Sequence, residues 1–137
     1  IAASFALGVA LTQSGAAALA AGWLLQFAHG SPWLALTLLY VLTVVVTELI
    51  TNNAAGVLMF PIAMSVAAAA GVNYMPFVIA VMVAASCGFI TPIGYQTNLM
   101  VYGPGGYRFA DFVRFGLPLT IICGIITINV VPRVWHF

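Results

Sequence analysis

Two long apolar runs, residues 34–46 and 54–70, are joined by a single polar cluster, Thr47-Glu48-Leu49-Ile50-Thr51-Asn52-Asn53. As helix, residues 34–50 cross most of a bilayer and residues 54–71 return. Whether such runs lie in a soluble core or in lipid is decided by charge. Only 4% of the 137 residues are charged and 64% are hydrophobic, whereas a soluble domain carries about 25% charged residues to solvate its surface. The sequence therefore specifies an all-α integral membrane protein. The net charge of +1 says nothing about nucleic acid, and with no basic stripe to neutralise phosphates none is expected as a partner. The length suits about four or five passes of roughly 20 residues, so residues 1–137 form one transmembrane domain with no room for a soluble one.

Inside hydrocarbon, hydroxyls, carboxamides and a carboxylate are costly unless each finds a partner. Polar groups in membrane segments are therefore default candidates for an ion or substrate site. Two geometries fit the cluster. Either the Thr51-Asn52-Asn53 turn reaches water on the far side, or the two helices form a re-entrant hairpin whose tip stops within the protein.

The chain before this hairpin is rich in Ala and Gly and should pack inside a bundle. Thr12-Gln13-Ser14-Gly15 predicts a break between a membrane helix and a shorter, interfacial one. His29-Gly30-Ser31-Pro32-Trp33 reads as a turn with Ser31 as cap, Pro32 opening the next helix and Trp33 at the interface; His29 reads as interfacial and not as a proton carrier. Ile1 falls inside an apolar segment with no charged leader before it, so the expectation is a piece of a longer protein. Cys87 and Cys123 sit in apolar runs without the partners or spacing of a disulfide or metal site and read as buried small residues.

Beyond Gly71-Val72-Asn73-Tyr74-Met75-Pro76, the apolar run of residues 77–85 leads into Ser86-Cys87-Gly88-Phe89-Ile90-Thr91-Pro92-Ile93-Gly94-Tyr95-Gln96-Thr97-Asn98 and then residues 99–102. Here a helix starts, breaks and resumes. Pro92 removes a donor and Gly94 relaxes the chain, leaving carbonyls for a cation and the amides of a half-helix for an anion. An ordinary proline kink is the alternative. Arg108, Asp111 and Arg114 occupy a short amphipathic stretch, with the arginines favouring the cytoplasmic side, and residues 117–131 form the last span.

Thr47 and Thr51 are four apart and share one helical face leading to the turn. Neutral hydroxyls, carboxamides and carbonyls suit a hard cation such as Na+ that is released in every cycle, and the same donors hold an oxyanion. Glu48 either supports the turn by accepting hydrogen bonds or carries a proton. An enzyme is not expected: there is no His-Glu-x-x-His, no Gly-x-Ser-x-Gly, and Asp111 and Glu48 lie in different kinds of segment.

Thr47-Glu48-Leu49-Ile50-Thr51-Asn52-Asn53-Ala54-Ala55, followed by Met59-Phe60-Pro61-Ile62-Ala63, resembles the hairpin signature of the divalent anion/sodium symporter family, the solute carriers that include the INDY dicarboxylate transporters. The stretch from Pro92 to Asn98 is similar to that family's broken helix, and Asp111-Phe112 with Gly116-Leu117-Pro118 is similar to the start of its last helix. The resemblance implies one half of an inverted-repeat transporter, with a re-entrant helical hairpin and a broken transmembrane helix. It implies sodium binding at Thr47, Thr51, Asn52 and the backbone of Gly94, and substrate binding at Thr51, Asn52, Asn53, Gln96, Thr97 and Asn98. The turn reads Thr-Asn-Asn where the family has Ser-Asn-Thr, and the break reads Gly-Tyr-Gln-Thr-Asn where its dicarboxylate branch has Ala-Thr-Pro-Pro-Asn. In both respects the chain is similar to bacterial permeases of the family that are associated with sulfate.

The implied activity is symport of a small divalent anion, sulfate or a dicarboxylate, coupled to Na+ or H+, without other cofactors. The implied setting is a bacterial inner membrane, in a homodimer whose missing N-terminal repeat completes the site. A channel or passive pore lined by the same groups, or a membrane-embedded assembly or enzyme subunit, is the competing expectation.

Overall fold

The computed structural model of the chain describes residues 2–137. The described residues form seven α-helices and no strand: α1 (Ala2–Gln13), α2 (Ala16–Phe27), α3 (Pro32–Leu49), α4 (Asn52–Ala70), α5 (Met75–Ser86), α6 (Gln96–Tyr102) and α7 (Phe109–Val134). Three of them, α3, α4 and α7, are long and apolar enough to cross a membrane. Counting α1 and α2 as one span gives a fourth. The protein is an all-helical integral membrane protein.

The break predicted between α1 and α2 is present: Gly15 takes φ +74°, and the axes bend by 73°. At the start of α3 the expected turn is also found. Gly30 and His29 both adopt positive φ, 75° and 49°, and Pro32 opens the helix, where its missing donor costs no ladder bond.

α3 and α4, of 18 and 19 residues, each run about 27 Å and are joined by two extended residues, Ile50 and Thr51, so they fold back as a hairpin. The core lies where this hairpin meets α5. Leu36, Leu39 and Tyr40 of α3 are buried with Ala63, Val66 and Ala67 of α4 and Phe77, Ala80 and Ala84 of α5. The alanines let the helices approach closely, which matters where lipid supplies no apolar drive for association. At one end of the bundle the C-terminus is tied in. The Asn73 carboxamide donates to the His136 carbonyl at 3.1 Å, and the Phe137 ring packs on Trp33 and Phe77. The start of α3, the α4–α5 turn and the end of α7 thus share one layer. The hairpin tip and the end of α5 lie at the other.

Two boundaries differ from expectation. α5 stops at Ser86, where the apolar run gives way as read, but the helix resumes earlier: Gln96, Thr97 and Asn98 start α6 and are not part of the break. The amphipathic stretch with Arg108 and Arg114 is not separate from the last span. Both belong to the single 26-residue α7, which continues through Pro118 and Pro132; membrane helices accept such prolines because neighbouring groups satisfy the freed carbonyls. Asp111 caps this helix by accepting the Arg108 backbone amide at 2.8 Å.

Phe77 is wholly buried where α3, α5 and the C-terminal residue meet. Phe77→Ala should cost about 3 kcal/mol through the cavity it leaves, read as a lower thermal midpoint of the purified parent protein.

Candidate functional site

α3 ends on Leu49, and Thr51 caps α4 by accepting the Ala54 amide on its hydroxyl, at 3.4 Å. This arrangement brings two helix ends together. The C-terminal end of α3 presents carbonyls and partial negative charge; the N-terminal end of α4 presents the first amides, of Asn52 and Asn53, and partial positive charge.

Facing the tip is the break between α5 and α6. Glu48, 9% exposed, sends its carboxylate across to it: Oε1 accepts the Ile90 amide and Oε2 the Thr91 amide, each at 2.8 Å. The Thr91 hydroxyl donates to the Glu48 carbonyl at 3.3 Å and accepts the Gly94 amide at 3.0 Å. The Thr47 hydroxyl, wholly buried, donates to the Ala85 carbonyl at 2.7 Å and ties the last turn of α3 to the end of α5. Of the two roles open to Glu48 from sequence, the geometry is that of support, since both carboxylate oxygens are taken by backbone amides.

Two glycines of the break pack closely in this junction. A Cβ on Gly94 would lie 2.8 Å from Glu48 Oε2 and 3.2 Å from the Thr47 carbonyl oxygen, and one on Gly88 would lie 3.2 Å from the Gly94 carbonyl oxygen. The segment folds back on itself and onto α3 with no room for side chains there.

A cleft of about 310 Å³ opens between the tip and the break, lined by Thr51, Asn52, Asn53, Ile93, Gly94, Tyr95 and Gln96. Of the residues singled out from sequence, the structure brings Thr51, Asn52, Asn53, Gly94 and Gln96 to this cleft, with Thr47 directly beneath Gly94. Thr97 is not part of its lining. Asn98 stands elsewhere: its carboxamide donates to the carbonyls of Gly88 at 2.9 Å and Thr91 at 3.3 Å, and it lines a separate cavity with Phe112 and Phe115 of α7. It clamps the break. Sequence reasoning missed Ile93 and Tyr95, which line the cleft, and Thr91, which links Glu48 to Gly94. Their place next to Gly94 was the available signal.

The lining holds no acidic or basic side chain, and among the described residues no group of three or more His, Cys, Asp or Glu could hold a metal ion. Both cysteines are free thiols; Cys87 is buried and accepts the Tyr40 hydroxyl at 3.5 Å, whereas Cys123, read from sequence as buried, is only partly so.

A helical hairpin and a break between two helices thus meet at a neutral polar cleft in an all-helical membrane protein. The chain belongs to the citrate transporter family, CitMHS, which it matches over residues 1–136. It is 50% identical over 88% of its length to an uncharacterized transporter, sll0640, of Synechocystis. It is 41% identical over 94% of its length to the uncharacterized transporter YfbS of Escherichia coli, and 39% identical over 99% to sodium/sulfate cotransporter 1 of Chlamydomonas reinhardtii. It spans only 20%, 21% and 16% of those three proteins. The family and these relatives are transporters and not enzymes.

Gly94→Ala should lower the transport rate by about tenfold while leaving the amount of protein in the membrane near native, because the added methyl must shift the Glu48 carboxylate and also presses on the Thr47 carbonyl. Initial-rate uptake normalised to membrane protein checks this.

Proposed function

We propose that the parent protein is a secondary active symporter that couples Na+ to the import of a small divalent anion, with sulfate as the leading substrate. The carrying observation is the cleft itself, in which the negative end of α3 and the positive end of α4 meet beside the break with only neutral side chains around them. Carbonyls, hydroxyls and carboxamides hold a hard cation loosely enough for release, and helix-end amides with Asn53 and Gln96 hold an oxyanion. On this reading Thr47, Thr51, Asn52 and Gly94 form the cation side. Asn53 and Gln96 lie on the anion side, and Thr51 and Asn52 serve both.

Three relatives named sodium/sulfate cotransporters, at 38% to 41% identity, support sodium as the coupling ion and sulfate as the anion. The holding role of Glu48 argues in the same direction, since it leaves the hairpin without a free carboxylate to carry a proton. The depth of the tip supports a re-entrant hairpin. Gly116 of α7 is level with the break, and the seven residues from Phe109 to Phe115 carry α7 about 10 Å beyond that level. The cleft is then closed by the other repeat of the protein, in a bacterial inner membrane with Arg108 and Arg114 towards the cytoplasm.

The test is uptake of labelled sulfate, succinate and citrate by the intact parent protein in proteoliposomes, with and without an inward Na+ gradient. Accumulation of sulfate driven by the gradient is the expected result. Flux in both directions that ignores Na+ would replace the symporter with a pore, and accumulation of citrate or succinate alone would replace the substrate.

Within that assay, Thr51→Ala and Asn52→Ala should raise the Na+ concentration for half-maximal uptake by about tenfold, whereas Gln96→Ala should mainly raise KM for the anion. Thr97→Ala, outside the cleft lining, should leave both near native.

A further inference from the structure

We propose that Gly116 of α7 is a positioning residue for the cation site, which lies on the far side of the break. The inference rests on the reading of the cleft as a Na+ site. It comes from what holds residues 87–95, a stretch with no helical ladder of its own. Glu48 and Asn98 hold it from the hairpin and from α6. Behind it stands α7. Gly116 is buried, and a Cβ placed on it would overlap the Phe89 carbonyl and lie 2.9 Å from the Ile90 nitrogen.

That nitrogen is the one that donates to Glu48 Oε1. Glu48 Oε2 in turn lies 2.8 Å from where a Gly94 Cβ would stand. A short chain of contacts thus runs from Gly116 through the Phe89–Ile90 peptide and Glu48 to Gly94 in the cleft. A methyl at Gly116 pushes that peptide forward by a distance on the order of 1 Å, enough to spoil one carboxylate bond and shift the site in front of it. Thr120 is 7% exposed, and its hydroxyl finds no partner, whereas Thr43 and Thr127 each bond back to the carbonyl four residues earlier at 2.7 Å. Gly124, a further turn on, meets only the edge of the Tyr40 ring, 3.1 Å from a Cβ placed there.

The experiment uses the full-length parent protein and two readouts: the rise in thermal midpoint on adding Na+ without any anion, and Na+-driven sulfate uptake. Gly116→Ala should raise the Na+ concentration for half-maximal effect by about tenfold in both, with KM for sulfate at saturating Na+ changed less than roughly threefold. Gly124→Ala should leave Na+ affinity within about twofold of native. Combining Gly116→Ala with Glu48→Gln should cost no more than the worse single change, because both act through the Ile90 amide.

Should Gly116→Ala not reach the membrane, hydrogen exchange on the native protein decides: Na+ should slow exchange in residues 89–91 and in α7 around Gly116 together, and protection of the tip alone would overturn the proposal. Native Na+ affinity in Gly116→Ala overturns the positioning role and leaves the symporter standing. A native protein with neither a Na+-induced rise nor Na+-driven uptake overturns both.

Discussion

The junction depends on one carboxylate. A buried charge in an apolar bundle costs several kcal/mol unless it is well bonded, and an amide freed by a helix break costs about 1–3 kcal/mol when buried without a partner. Glu48 and the amides of Ile90 and Thr91 each remove the other's penalty. Because Glu48 is also the penultimate residue of α3, the bond that stabilises the break fixes the hairpin tip against it. Thr47 adds a second tie one residue earlier, to the last turn of α5. Tip and break are therefore tied together beneath the cleft by the Glu48 and Thr47 side chains.

The electrostatics of that cleft follow from backbone direction. Where α3 ends and α4 begins, partial charges of about half an electron, of opposite sign, lie within two residues of each other. On the proposed reading a monovalent cation and a divalent anion about 4 Å apart attract each other by roughly 8 kcal/mol at an effective dielectric of about 20, which makes each raise the affinity for the other. Neutral ligands are what permit this. A lysine or arginine in the cleft would hold the anion without the cation and uncouple the two.

Much of this was legible in the sequence, for physical reasons that can be traced to particular residues. Scarcity of charge fixed the class, and the break at Ser14-Gly15, the turn at His29-Gly30 and the hairpin around Thr51 were announced by residues whose backbone or capping preferences leave few alternatives. Thr51, Asn52, Asn53, Gly94 and Gln96 meet as their motifs suggested. Asn98 was misread because a carboxamide next to a break serves as a clamp as readily as a ligand; which it does depends on carbonyls ten and seven residues earlier in the chain. The role of Glu48 was undetermined for the same reason, since its partners lie more than forty residues away. The end of α5 falls where the apolar run gives way at Ser86, but the start of α6 was not legible, because Gln96, Thr97 and Asn98 read as polar residues of the break.

The rim of the cleft carries a different kind of information. Leu49, beside the tip, is 73% exposed, and Ile93, within the cleft lining, is 65% exposed. Lipid could cover such side chains, but not next to the unpaired amides and carboxamides of Asn52 and Asn53, which hydrocarbon would leave without partners. A surface that is apolar at its rim and polar at its centre is suited to another protein segment that seals the edge and leaves a wet cavity inside. The chain spans about a fifth of the length of two of the relatives it matches, so the remainder of such a protein is large enough to supply that cover. On the proposed reading, a site built from neutral donors gains its selectivity from what is placed opposite, and the junction tied by Glu48 presents the surface that such a cover would meet.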